Sequence, residues 1–157
     1  MEVVTIYDLI IDSSKQVKLK KNRNISFDVE KLRIDEPGRA VEVFRRVFNI
    51  DNLTEEYVFL MCTDAEGDIK GMFEVSHGSI SKALINIRGI FQRALLCNAT
   101  NLIVAHNHPS GGCKPSNEDI RSYKGLVKAG KIMEIEVLDN LIIGNGYYSF
   151  KENDIDS

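Results

Sequence analysis

A chain of 157 residues, 43% hydrophobic and 27% charged, has the size and balance of one globular domain, long enough to bury a core without disulfide staples. Its formal net charge of −3 gives no overall attraction for nucleic acid. It contains no apolar run of the roughly 18 residues that a membrane helix needs, and Met1 to Ile11 carries acids rather than the basic start of a signal peptide.

In chain order, residues 1–36 alternate weakly and are expected to form an N-terminal arm or short strands. Within them Lys15, Lys18, Lys20, Lys21 and Arg23 make a basic cluster. Such a cluster can meet a phosphate backbone or an acidic protein, but lysines that protect a strand edge from aggregation are the preferred account. A helix is predicted from Pro37 to about Asn49, with proline at its first position and Val41, Phe44, Val47 and Phe48 on one face. Tyr57 to Cys62 is a continuous apolar run and reads as a buried strand. A turn over Asp64–Asp68 returns the chain as a second strand, Ile69–Val75.

Residues 82–97 carry Leu84, Ile87, Ile90 or Phe91, Ala94 and Leu95 at helical spacing, with Gly89 as a weak point. Asn101 to Ala105 is a short apolar strand running into His106. A third helix is expected from Ser116 to about Ala129, closed by Gly130. Met133–Leu138, Leu141–Ile143 and Tyr147–Phe150 read as three strands, the last two joined by the Gly144-Asn145-Gly146 turn. The expected class is α/β (α+β), a central mixed sheet flanked by helices, with residues 37–157 as its main domain.

The three cysteines, Cys62, Cys97 and Cys113, are odd in number, widely spaced and without a CxxC pair. That pattern argues against a disulfide framework and a thiolate zinc ribbon, and a reducing cytoplasmic compartment is expected. Cys62 and Cys97 read as core, Cys113 as a loop thiol.

The informative segment runs from His106 to Asp119. His106 and His108 stand two apart at the end of a strand, so their side chains share a face with α-carbons roughly 6.5 Å apart. Two imidazoles so placed can converge on one ion. Asp119 falls one turn inside the following helix, pointing back toward the strand end. Two histidines, an aspartate and an open position for water make a catalytic rather than a closed ligand set. Ser116-x-x-Asp119 also fits a helix cap, which is the better account of that pair taken alone. Hydrolysis would need a carboxylate to move protons. Glu55, Glu56, Glu74 and Glu118 are candidates, and Glu56 is slightly favoured because it immediately precedes the buried strand.

His106-x-His108, seven residues, Ser116, two residues and Asp119 resemble the JAMM motif of the MPN/JAB metallopeptidases. The Asn-His-Pro-Ser-Gly form followed by Pro115-Ser116 is similar to the bacterial RadC-like branch. The likeness extends over about residues 37–152, through Glu56-Tyr57-Val58-Phe59-Leu60, Val137-Leu138-Asp139, Ile142-Ile143-Gly144 and Tyr148-Ser149-Phe150. It implies a fold similar to cytidine deaminases, one zinc ion (Zn2+) held by His106, His108 and Asp119, a catalytic glutamate at Glu56, and an oxyanion-binding serine at Ser116. The chain departs from the branch in two places. Asn86-Ile87-Arg88-Gly89 stands where it usually has His-Pro-Arg-Glu, and Asn140 where it usually has histidine. Neither position is a metal ligand. RadC proteins often carry an N-terminal helix-hairpin-helix domain, for which residues 1–36 are too short.

Three functions follow as expectations. The first is a zinc-dependent hydrolase of a peptide or isopeptide bond, acting on a protein or peptide. The second is a DNA-repair or DNA-processing accessory role, resting on the branch's historical label and the Lys15–Arg23 cluster. The third is a non-catalytic binding module. A zinc deaminase is set aside, because its HxE and PCxxC signatures are missing.

Overall fold

The computed structural model describes residues 1–78 and 85–155. The part of the expected second helix before Ile85, with Leu84, lies outside them. A seven-stranded mixed sheet forms the centre: β1 (Glu2–Ile11), β2 (Val17–Phe27), β3 (Glu56–Thr63), β4 (Ile69–Gly78), β5 (Asn101–Asn107), β6 (Glu136–Ile143) and β7 (Tyr147–Ser149). Their order across the sheet is β2-β1-β4-β3-β5-β6-β7. Helix α1 (Pro37–Phe48) covers one face, and α2 (Ile87–Leu96) and α3 (Asn117–Met133) cover the other. The α/β class is thus the one expected.

Strand β3 is the central element, and its apolar run has a physical reason. Phe59 and Met61 pack under α1 with Phe44 and Val47, while Val58, Leu60 and Cys62 pack under α2 and α3 with Ile90, Phe91 and Leu126. A strand covered on both faces has no polar side to alternate with. Residues 1–36 hold two strands of 10 and 11 residues that form an antiparallel hairpin, joined to the main sheet by β1 running parallel to β4. Four members of the basic cluster, Lys18, Lys20, Lys21 and Arg23, lie exposed on β2 at the sheet edge, and Lys15 lies in the turn before it.

Two expectations are corrected. Gly130 does not close α3, which continues to Met133 and ends with Glu134 in the left-handed region at φ 57°. Gly130 is needed instead because a Cβ there would lie 2.6 Å from the Ile135 carbonyl oxygen, where the chain returns toward β6. Met133 accordingly belongs to the helix, and the segment after it is one strand rather than two. Asp139 does not interrupt β6, because its carboxylate accepts from the Asn140 and Lys151 backbone N–H groups and from the Ser149 hydroxyl, whereas the buried Asn140 side chain has no hydrogen-bond partner among the described residues. No helix among the described residues is long and apolar enough to cross a membrane.

Candidate metal centre

Strand pairing brings the expected residues together. β3 and β5 are antiparallel with Val58 opposite His106, so the start of β3, carrying Glu56, meets the end of β5. His108 follows two residues on, and its backbone N–H donates to the Ile143 carbonyl at 2.9 Å, extending the ladder toward β6. The first turn of α3 supplies Asp119. Metal-ligating atoms of His106, His108 and Asp119 lie within 4.8 Å of one another, a group that can hold one metal ion.

The donor chemistry fits an ion. His108 Nδ1 lies 2.9 Å from the Gly112 carbonyl oxygen. A carbonyl can only accept, so Nδ1 carries the hydrogen and the neutral ring presents a bare lone pair at Nε2. His106 Nε2 is buried without a hydrogen-bond partner, 3.5 Å from Asp119 Oδ1. A buried orphan nitrogen facing a carboxylate suits a cation.

Asp119 serves two purposes, one per oxygen. Its Oδ2 accepts the Ser116 backbone N–H at 2.8 Å, and Ser116 Oγ accepts the Asp119 N–H at 3.0 Å. This is a complete capping box at the start of α3. Oδ1 meanwhile faces His106. The two accounts of Ser116-x-x-Asp119 are therefore compatible. Burial by itself would raise the Asp119 carboxyl, but His106 and the Ser116 cap outweigh it and hold the group at about 2.

Of the candidate glutamates, Glu56 reaches the centre, with Oε1 3.7 Å from His108 Nε2. Glu118 lines the same cleft from α3. Glu74 is engaged elsewhere, 2.7 Å from His77 Nδ1, and the carbonyl of Glu55 accepts from Asn107. His77 lies in β4, stacked on Tyr57 with ring centroids 4.9 Å apart. The cleft holds about 180 Å3 and is completed by Ser116, Ile85 and Ser122. A larger open depression of about 670 Å3, beside Tyr123, Lys131 and Phe150, includes none of these ligands.

One contributor escaped the sequence reading. Asn107 stands between the histidines and faces the other way. Its Oδ1 accepts the Tyr57 N–H at 2.7 Å and its Nδ2 donates to the Glu55 carbonyl at 2.8 Å, clasping the backbone on both sides of Glu56. Its place in the alternation of β5 was the available signal.

Comparison with known proteins gives the family. Residues 34–155 match the RadC-like JAB domain, and the chain belongs to that family. A UPF0758 protein of Clostridioides difficile is 34% identical over 156 residues, covering 97% of this chain and 66% of that protein. Another, from Alkaliphilus metalliredigens, is 36% identical over 137 residues, covering 87% and 58%. A third, from Thermosynechococcus vestitus, is 39% identical over 120 residues, covering 76% and 47%. The chain thus spans between about half and two thirds of the length of these relatives.

Proposed function

We propose that this chain is a metal-dependent hydrolase that cleaves a peptide or isopeptide bond in a protein or peptide, with one zinc ion at its centre. The observation that carries the reading is the orphaned, buried Nε2 of His106 beside Asp119 Oδ1, with Glu56 across the cleft. His106, His108 and Asp119 would hold the ion, since two imidazoles and a carboxylate suit zinc and leave a position open. When bound there, zinc supplies Lewis acidity and lowers the pKa of water to about 7.

The protein's own groups supply the rest. Glu56 would take a proton from the attacking water and return it to the leaving nitrogen. Ser116 Oγ accepts the Asp119 N–H, which leaves its hydroxyl hydrogen free to donate to a developing oxyanion. A cytoplasmic location accords with the free thiols of Cys62, Cys97 and Cys113.

Metal analysis of the purified protein, followed by assay on lysine-linked isopeptide and linear peptide substrates, tests the reading. Zinc at one equivalent is expected in the native protein and in Glu56→Gln, and little in His106→Ala. Glu56→Gln should lose roughly 100- to 10,000-fold in turnover. Native protein that takes up no zinc would overturn the metal centre. Zinc uptake without hydrolysis of any such substrate would overturn the hydrolase and leave a binding module.

A further inference from the structure

One of the three candidate ligands, His108, stands on a loop whose position is fixed from outside the cleft. Residues His108 to Gly112 leave β5 and turn toward α3. The loop closes on itself through the Gly111 N–H, which donates to the His108 carbonyl at 2.9 Å. His108 Nδ1 then meets the Gly112 carbonyl at 2.9 Å. The orientation of the His108 ring therefore follows the placement of Gly111 and Gly112.

What holds Gly111 is the turn between β6 and β7. The Asn145 N–H donates to the Gly111 carbonyl at 2.9 Å. The two segments touch so closely that a Cβ on Gly144 would lie 2.4 Å from the Gly111 backbone oxygen, and one on Gly111 would lie 2.6 Å from the side-chain Nδ2 of Asn145. Neither segment can shift without the other.

That turn is in turn gripped by one side chain. Arg45, in the last turn of α1, donates from a single Nη2 to the Gly144 carbonyl at 2.9 Å and to the Gly146 carbonyl at 3.0 Å. Both ends of the turn converge on one guanidinium, which no neutral side chain of that length reproduces. Its Nε faces Asp51 at 3.5 Å.

We propose that Arg45 is a positioning residue for the metal centre, setting the His108 ring by clamping the Gly144–Gly146 turn on which its loop rests. The inference depends on the metal centre proposed above, though not on hydrolysis. Arg45 is not among the residues that line the cleft. Its effect runs through backbone contacts, so it should appear in affinity and ligand geometry before it appears in turnover.

The test measures zinc affinity by competition with a chromophoric chelator, and ligand geometry from the visible spectrum of the cobalt(II)-substituted protein. Arg45→Met should weaken zinc binding about tenfold, as loss of a group supporting a metal ligand does, and should change the cobalt spectrum. Arg45→Lys, which keeps the charge and one donor end, should recover part of the loss. Arg39→Met, on the same helix and likewise removing one positive charge, should match the native protein in both measurements. Native affinity and spectrum in Arg45→Met would overturn the inference, and so would an equal loss in Arg39→Met. If Arg45→Met does not fold, Arg45→Lys and Arg45→Gln decide by the same two readouts. Native protein that binds neither zinc nor cobalt would remove the metal centre itself. Native binding with unaltered Arg45 variants would remove only the clamp.

Discussion

His106 Nε2 and Asp119 Oδ1 face each other at 3.5 Å across the end of β5, while the second oxygen of the same carboxylate caps α3. One side chain thus joins the stability of a helix to the composition of the metal centre. The two contributions can be separated by substitution. Asp119→Asn retains an oxygen for the Ser116 N–H but no negative charge, so metal affinity should fall, and at pH 7 the metal-free protein should lose only the share of stability that the lowered carboxyl contributes. Asp119→Ala removes both and should cost the metal-free protein about 1 kcal/mol as well. Denaturant titration with and without chelator separates the two variants.

Asn107 should be as sensitive to change as the ligands themselves. Asn107→Ala leaves the Tyr57 N–H and the Glu55 carbonyl without their partner, at a cost of about 1–3 kcal/mol for each group that water cannot reach. It also releases the backbone that carries Glu56. Equilibrium unfolding in urea measures the first effect. Unchanged stability would mean that water replaces the amide at both bonds.

Gly130 offers a sign reversal. Glycine to alanine inside a helix ordinarily stabilises by about 1 kcal/mol. Here the added Cβ would meet the Ile135 carbonyl oxygen at 2.6 Å, a backbone atom that no rotamer change can move aside. Gly130→Ala should therefore destabilise, by roughly 1–3 kcal/mol as overpacking does. A thermal melt of this variant showing a raised midpoint would contradict the close approach.

Asp64 governs a pH dependence far from the metal centre. Burial would raise its carboxyl, but the Asp68 and Glu66 backbone N–H groups and Lys70 at 3.1 Å together hold it below the ordinary value of 3.8. A carboxyl lowered in the folded state binds protons more readily when unfolded. Its stabilisation is present above the unfolded value and lost as pH falls through the folded one. Asp64→Asn should be less stable than the native protein at pH 7, and the difference should shrink below pH 3.8. Melting temperatures across that range check the sign.

Much of this was legible in the sequence because it is written in residue type. Val58-Phe59-Leu60-Met61-Cys62 has no polar alternation, and β3 has no exposed face. His106 and His108 share a face by strand geometry alone. The double use of Asp119 was not legible, since spacing locates a carboxylate without telling its two oxygens apart. Asp139-Asn140 looked like a break between strands because the partners of the Asp139 carboxylate, Ser149 and the Lys151 N–H, lie ten or more residues away. Arg45 left no trace for a related reason. Its partners are carbonyl oxygens of Gly144 and Gly146, and every residue has one.

The pairing of Val58 with His106 has a consequence for when the centre exists. Glu56, the two histidines and Asp119 come from three segments that are brought together only by completed strand pairing and a docked helix. A one-residue slip of β3 against β5 would send the Glu56 side chain to the opposite face of the sheet. A nascent or unravelled chain therefore carries the components without the assembled device. Folding acts as its safety catch.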